Sequence, residues 1–594
     1  MASQVPGPSL LWDGQGYLGA ARWVARDDWP LLGELDFYHP AYGALLAPSV
    51  WLGASPMGLF RWAQAVNVLS LAVLALAVGA LARTLLPEGR TWLVATGAAC
   101  AYPALVVQAG FEWPEVAFAA TFAVAALLAW RERWLGLALA SVGLYALHPR
   151  GLGVLAVTAL VLVALRRWVP VAVVLAGLAA VQAFNRLALD ALYNPGRRSA
   201  AGSAFETITD VGRWDDVAIR AAGHGWYLLV ATLGLAGVAV WALARDRRPP
   251  ALWLLGAAAA VLVASALQLA ERGRLDHLVY GRYVESVAPV LVVVAASSLR
   301  PRAFAGALAA AVVLGGIAVV GNPSDAFDGE PAWLNVLALS VFTEIDVARI
   351  TLAAVAGALV LAVVALRAPA ASLALFGVAA LATAAVAFVG EVDDFARTAN
   401  ETYVMGDEVA ELGGSTVSYD IAAYDALASN RYQWQHPGLE LPYWAHGDVP
   451  TDAILSRKGR PPVDGARVVA AEPARDLALW VVPGPRQDEL AERGWLVLEH
   501  GEPVPEGFGE VRVERVDGNR VRVTHAGRGA PWVPAGVLPG DVGLIRIHDG
   551  SVDYPLPRVV RPGESVELVV HSWVDALVVE HVHHGTLGTF ELGR

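Results

Sequence analysis

The stretch WDGQGYLGAARWVARDDWPLLGELDFYHPAYGALLAP, from Trp12 to Pro48, is polar, acidic and aromatic, and a series of apolar runs begins directly after it. Each run is about long enough to cross a bilayer, whereas this stretch is not. It packs Asp13, Gly14 and Tyr17, then Asp27 and Asp28, then Tyr38, His39, Pro40 and Tyr42 into a short length. Membrane proteins place such groups where water and substrate meet.

Composition agrees with a polytopic membrane protein. The chain has 594 residues, of which 56% are hydrophobic and only 16% charged, with a mean hydropathy of +0.49. A soluble protein of this length carries about a quarter charged residues. The net charge of -12 argues against nucleic acid as a partner and for solvated acidic loops. Cys100 is the single cysteine and lies in an apolar run, so no intrachain disulfide forms.

About twelve spans are expected, near 63–82, 92–109, 114–130, 134–147, 151–165, 168–187, 224–243, 251–269, 284–299, 303–320, 347–366 and 369–389. Ser55 followed by Pro56 is a cap and first-turn pair, which predicts that the first of these helices begins before the membrane. Arginines collect in every second short loop: Arg83 and Arg90, Arg131 and Arg133, Arg166 and Arg167, Arg245 with Arg247 and Arg248, Arg300 with Arg302, and Arg367. Cytoplasmic loops retain positive charge, so that side is assigned to the cytoplasm. The opposite, outer side receives residues 1–62, the HPRG turn at His148–Gly151, the loops 188–223, 270–283 and 321–346, and everything after Val389. The chain then starts on the outer side with no signal peptide of the charged, apolar, small-residue form, and an upstream helix is expected.

After residue 390 the pattern changes. Short strands at 414–420, 453–457, 466–471 and 477–482 with a helix at 487–493 predict a small α/β layer. From about 507 the signal is purely β, in EVRVERV, NRVRVTH, VGLIRIHDG, ESVELVVHSW and ALVVEHVHH, a sandwich or jelly-roll pattern. The expected fold is therefore an α-helical polytopic membrane domain at 63–389, preceded by an outer-face segment at 1–62 and followed by an extracytoplasmic α/β domain at 390–506 and a β-sandwich at 507–594.

Candidate site residues are weighed against plainer roles. Asp13 either caps the helix it opens or does chemistry at the outer surface. Asp27 and Asp28 end that helix and read first as solvated, with Asp28 the weaker candidate. His39 and Tyr42 suit a packed turn and a substrate contact equally, and Tyr17 shares a helix face with Ala20, Ala21 and Val24. His148 and Arg150 sit at an interrupted apolar run, where an arginine either snorkels or forks onto a phosphate. The stretch ERGRLDHLVYGRYVE places Arg282 and Glu285 where lipid begins, a costly position without partners. Glu112 and Glu115 in GFEWPE either touch a sugar or sit in an aromatic interfacial belt, the belt being favoured. His581, His583 and His584 lack a carboxylate or cysteine at ligand spacing. No Walker loop, dinucleotide fingerprint or GxSxG elbow is present.

The stretches WDGQGYLGAARWV and FYHPAYGALLAP, the HPRG turn and YGRYVESVAP together resemble the GT-C superfamily of integral membrane glycosyltransferases, in particular actinobacterial arabinofuranosyl- and mannosyltransferases that use polyprenyl-phosphate sugars. The resemblance covers residues 1 to about 389. It implies an acidic catalytic base in the first outer loop, which maps onto Asp13, and basic residues against the donor phosphate, which map onto Arg282 and secondarily Arg150. It further implies an extracytoplasmic C-terminal domain that binds carbohydrate. The family has a span before its acidic loop, and this chain has none. The partners implied are a polyprenyl-phosphate-linked sugar, a cell-envelope glycan or other acceptor, and the bilayer of the cytoplasmic (inner) membrane. The residues leave cofactors open, a divalent cation included. Two other classes fit a polytopic chain: a transporter or lipid-linked-sugar flippase, and a non-catalytic membrane anchor displaying a glycan-binding domain. Against the first stand the lack of repeated halves and of paired mid-membrane charges.

Overall fold

The computed structural model describes residues 5, 7–9, 12–27, 38–86, 89–193, 209–270, 275–321 and 333–393 of the helical part, and 403, 405–445, 451–458, 461–472, 475–492, 511–516, 520–525, 545–549, 555–560, 565–569, 576–581 and 585–591 of the rest. The chain divides into two units, Met1–Arg397 and Thr398–Arg594. The last apolar helix of the first unit, Pro369–Ala387, continues into a π-helical turn over Phe388–Asp393.

In the first unit, α1 (Trp12–Ala25) and α2 (Ala41–Trp51) are followed by α3 (Pro56–Leu85), α4 (Thr91–Cys100), α5 (Pro103–Gln108), α6 (Glu115–Trp130), α7 (Trp134–Leu147), α8 (Gly151–Ala164) and α9 (Trp168–Leu192). Helix α3 starts as its cap pair predicts: Ser55 Oγ accepts from the Gly58 N–H at 3.2 Å, and Pro56 takes the first position, where a missing N–H costs nothing. Each of the twelve apolar runs holds helix. Among the described residues, seven helices are long and apolar enough to cross a membrane, eight if one bent pair counts as a single span.

Two of the expected spans are broken. The run 224–243 is two helices, Trp214–Ala231 and Leu235–Arg245, turned by 109°. The backbone turns at Leu233 and Gly234, both with positive φ, and a glycine tolerates that at no steric cost. The run 92–109 is split at Tyr102–Pro103, since proline cannot continue the preceding helix. A third segment, Asp276–Ala296, is apolar enough to span and is buried along its whole length, so Arg282 and Glu285 face protein on every side.

The arginine turns and the polar turns alternate along the chain. Helix α7 runs from Arg133 to His148, and its 14 residues put about 21 Å between those ends at the usual helical rise. Helix α6 likewise runs from Pro114 to Arg131. The GFEWPE and HPRG turns therefore share one end of the helix layer, and Arg131, Arg133, Arg166 and Arg167 the other.

The second unit opens with a five-stranded sheet in the order β2 (Tyr443–Trp444), β1 (Ser418–Asp420), β3 (Ala453–Ser456), β5 (Ala478–Val481), β4 (Arg467–Ala471). Strand β1 pairs parallel to β2 and β3, and β5 pairs antiparallel to β3 and β4. The strands β3, β4 and β5 are almost wholly buried, which explains their unbroken apolar runs. The helix expected near 487 lies at Pro485–Glu492. Beyond it, β6 (Val511–Arg515), β7 (Arg520–His525) and β10 (Ser565–Val569) form one antiparallel sheet. The strands β8 (Ile545–Asp549), β9 (Pro555–Val560), β11 (Ala576–His581) and β12 (Gly585–Glu591) form another. Strands β9 and β12 are additions to the sequence expectation: proline and glycine in PLPRVV and GTLGTFE mask their alternation. His583 and His584 lie outside the described residues.

Candidate active site

The site is built on α1, whose first turn carries Asp13. Small residues let this helix approach its neighbours closely. A Cβ on Gly43 of α2 would come within 2.7 Å of Ala20 Cβ and 2.8 Å of the Ala21 backbone nitrogen. One on Gly14 would lie 2.0 Å from Glu112 Oε1. Tyr17 meets Tyr38 and Tyr42 edge-on, with centroids at 5.5 and 5.4 Å, the favoured geometry for aromatic pairs. Tyr42 donates to Asn67 Oδ1 at 3.0 Å, and Asn67 Nδ2 donates to the carbonyls of Phe111 at 2.7 Å and Trp113 at 3.2 Å. Gln64, one turn earlier on α3, donates to the Gly110 carbonyl at 2.9 Å. The GFEWPE turn is thus fixed by amides of α3, and Tyr17 and Tyr42 are buried supports beneath it.

His39 is also engaged at both ring nitrogens. Nδ1 donates to the Tyr145 carbonyl at 2.8 Å, which leaves Nε2 to accept from Asn185 Nδ2 at 3.3 Å. Burial lowers its pKa to about 4, so it is a neutral tie between α2, α7 and α9.

The centre of the cluster is Arg282. Its Nη1 lies 2.5 Å from Asp13 Oδ2, its Nε donates to Glu115 Oε1 at 2.9 Å, and its guanidinium carbon lies 3.9 Å from the centroid of the Trp113 ring. Trp113 is in turn stacked on Phe111 at 4.4 Å. The three ionic side chains differ in access: Asp13 is 21% exposed, Arg282 4% and Glu115 0%. Asp13 is the member that a second molecule can reach. Glu112, fully buried, accepts from both the backbone N–H of Ser9 at 3.0 Å and its hydroxyl at 2.5 Å through Oε1, while Oε2 has no partner among the described residues. Burial raises the Glu112 pKa to about 7, against the opposing effect of the Ser9 bonds.

A second guanidinium comes from the HPRG turn. Gly151 is required there, since a Cβ would stand 2.3 Å from the Leu144 carbonyl carbon. Arg150 is 1% exposed, and Nε, Nη1 and Nη2 have no hydrogen-bond partner among the described residues. Its charge rests between aromatic faces, 4.3 Å from the Phe118 centroid and 4.9 Å from that of Tyr283. Burial pulls its pKa down from the usual arginine range. His148 accepts from the Arg150 backbone N–H at 3.3 Å, and burial with the neighbouring guanidinium of Arg150 keeps it neutral. A buried cation with no hydrogen-bond acceptor among the described residues has the chemistry to take up an anion.

The fold therefore brings together Asp13, Tyr17, Glu112, His148, Arg150 and Arg282 from the sequence candidates, and adds Glu115. Asp27 stands apart. It pairs with Arg22 at 2.7 Å and is 42% exposed, just past the C-terminal end of α1, whose first turn carries Asp13. Asp28 lies outside the described residues. The sequence reading weighed Glu115 with Glu112 and favoured an interfacial belt, because Trp-Pro-Glu before an apolar helix fits that pattern; both are instead fully buried, and the further signal for Glu115 was a carboxylate in the first turn of an apolar helix. Glu285 is buried as well, accepting from Tyr227 Oη and, at 3.1 Å, from Gln108 Nε2, which ties the Arg282 segment to α5 and to the helix Trp214–Ala231. Among the described residues no group of three or more His, Cys, Asp or Glu is disposed to hold a metal ion.

No family model matches the chain, and no curated protein matches it. Solved structures are similar. The chain resembles the crystal structure of ArnT from Cupriavidus metallidurans bound to undecaprenyl phosphate, with a TM-score of 0.48 and 16% identity over 80% of this chain and 94% of that one. The apo state of the same protein gives 0.45 and 17% over 79% and 93%. The cryo-EM structure of arabinosyltransferase EmbB from Mycobacterium smegmatis gives 0.35 and 13% over 96% of this chain and 60% of that one.

Proposed function

We propose that this chain is an integral membrane glycosyltransferase that moves a sugar from a polyprenyl phosphate to a cell-envelope glycan or other acceptor on the outer face of the cytoplasmic membrane. The observation that carries the reading is one pairing of chemistries. A single partly open carboxylate, Asp13, pairs with the buried guanidinium of Arg282, and a second buried guanidinium, Arg150, which interacts with Arg282 and Glu115, has no hydrogen-bond partner among the described residues.

In this reading Asp13 takes the proton of the acceptor hydroxyl as its oxygen bonds to the anomeric carbon. The bond from that carbon to the phosphate oxygen breaks with inversion, and the electron pair leaves with the phosphate. Arg150 and Arg282 stabilise the charge that develops there, in a water-poor setting where such stabilisation is strongest. A lipid-linked donor suits a site framed by apolar helices, because its tail stays in the bilayer. Glu112, with one oxygen lacking a partner among the described residues, is positioned to accept from a sugar hydroxyl. The second unit, taken as extracytoplasmic, serves acceptor capture through its β part.

The test is transfer of label from a panel of undecaprenyl-phosphate pentoses and hexoses to a short oligosaccharide by the membrane-inserted full chain, with Asp13→Asn in parallel. Label on the acceptor with the natural chain and its loss in the variant support the reading. Movement of lipid across vesicles without transfer replaces it with a flippase.

A further inference from the structure

We propose that a cleft at the arginine end of the helix layer holds the headgroup of an anionic phospholipid from the leaflet on that side. The cleft has a volume of about 470 Å³. It lies where four helix ends meet: Leu85 ends α3, Trp130 ends α6, Arg245 ends its own helix, and Ser297 follows the buried helix Ala288–Ala296. Helix α6 carries Glu115 in its first turn and Trp130 in its last, so the cleft and the Asp13 cluster stand at opposite ends of one helix. The inference therefore does not rest on the transfer reading.

Arginines at a helix end are ordinarily solvated, and the retention of positive charge in such turns accounts for their number. The two that line this cleft are not equivalent, however. Arg248 is matched: its Nε and Nη2 donate to Asp246 at 3.0 and 2.7 Å, and its backbone N–H donates to the same carboxylate at 3.0 Å. Glu132, the other carboxylate nearby, also acts on Arg248. Arg245 makes no hydrogen bond or ion pair among the described residues. Its guanidinium carbon is held 3.7 Å from the Trp241 ring centroid, so the charge is positioned without being neutralised. Beside it, Ser297 Oγ donates to the Val294 carbonyl at 2.7 Å, whereas the Ser298 hydroxyl bonds to no described residue.

The walls choose the class of anion. Leu85, Leu243 and Val294 give the cleft an apolar side. Trp130 and Trp241 stand under Arg248 and Arg245, at the level that indoles take between acyl chains and headgroups. A phosphate diester brings one negative charge for Arg245 and oxygens that accept from its guanidinium and from the Ser298 hydroxyl. Its acyl chains follow the apolar side into the bilayer, as in basic pockets between membrane helices. Free phosphate has no use for that side, and a choline headgroup would set a second cation against Arg245.

The experiment is native mass spectrometry of the full chain, stripped of lipid in a neutral detergent and titrated with dioleoyl phosphatidylglycerol or dioleoyl phosphatidylcholine. Phosphatidylglycerol is expected to bind about ten-fold more tightly, the worth of a charge-assisted hydrogen bond. Arg245→Gln removes most of that preference, while Arg367→Gln, at an exposed arginine turn that does not line the cleft, retains it. Ser298→Leu narrows the cleft without touching a charge and weakens phosphatidylglycerol as well; if Arg245→Gln does not accumulate, this variant decides. Equal affinity for the two lipids, or equal loss in Arg245→Gln and Arg367→Gln, leaves only a diffuse positive belt and overturns the inference. Displacement of phosphatidylglycerol by millimolar inorganic phosphate overturns it in favour of a free-anion site. Tighter binding of poly-glutamate overturns it in favour of an acidic protein. Transfer is not a readout, so the result stands whichever way Asp13→Asn turns out.

Discussion

Arg282 bonds to Asp13 at 2.5 Å, joining the first helix of the chain to a buried segment in the second half of the helical unit. Asp13 is the more exposed partner, and the pairing places the proposed base next to the charge that would receive the departing phosphate.

Replacing Asp13 with asparagine keeps its shape and removes the base. Transfer is expected to fall about 100- to 10,000-fold while insertion and undecaprenyl phosphate binding persist. Asp27→Asn, at a part-buried pair with Arg22 past the end of α1, should cost little in activity. Initial rates in membranes, normalised to inserted protein, decide both; near-normal transfer by Asp13→Asn rejects the assignment.

Arg150→Met replaces a buried cation that has no acceptor among the described residues with an apolar side chain of similar length. Its thermal stability in detergent should rise, by about 1 to 3 kcal/mol equivalent, while undecaprenyl phosphate affinity drops about 10- to 100-fold. Stability and binding moving in opposite directions is the signature. Arg282→Lys should instead lose transfer and retain expression, since an ammonium cannot serve Asp13 and Glu115 from one planar group.

Glu112 gives a pH dependence whose sign can be worked out. Its pKa is about 7 in the fold against an ordinary 4.5. Between these values the unfolded chain releases a proton that the folded chain keeps, so stability falls as pH rises through this window and stays reduced above it. Glu112→Gln removes that loss. Its thermal midpoint should exceed that of the natural chain at pH 8, by the equivalent of at most about 3 kcal/mol, and the two should converge near pH 4. A gap that is the same at both pH values contradicts the assignment of a buried, titrating Glu112.

The side of the membrane is tested by protease added to intact spheroplasts. The arginine turns predict an outer location for the residues after 397, so the second unit should be released without lysis. Cleavage only after lysis inverts the topology and removes the proposed site from the face where lipid-linked sugars are used.

How much of this was legible in the sequence depends on which interactions are local. Apolar runs of membrane length, the Ser55–Pro56 cap and the alternation of arginine turns are written in neighbouring residues, and each of the twelve runs holds helix. Arg150 and Arg282 stood out because charge at the end of an apolar run needs a reason, and Asp13 because it opens a polar, acidic and aromatic stretch ahead of those runs. The bend at Leu233–Gly234 was hidden, since glycine in an apolar run is common and only packing shows that the chain turns there.

The sequence by itself determined that this chain is helical and membrane-type, that a mixed α/β and β region comes after the helices, and that a few acids and arginines gather in its polar turns. Tertiary structure alone decided which of them meet. It turned Asp27 away to a part-buried pair with Arg22, made His39 and Tyr42 buried struts, and set Glu115 and Asp13 on one guanidinium. It also left Arg150 between two rings with no acceptor among the described residues. The physical reason is range: helix formation and burial are fixed by residues a turn apart, whereas the pairing of charges depends on which helix ends the packing brings within about 3 Å of one another.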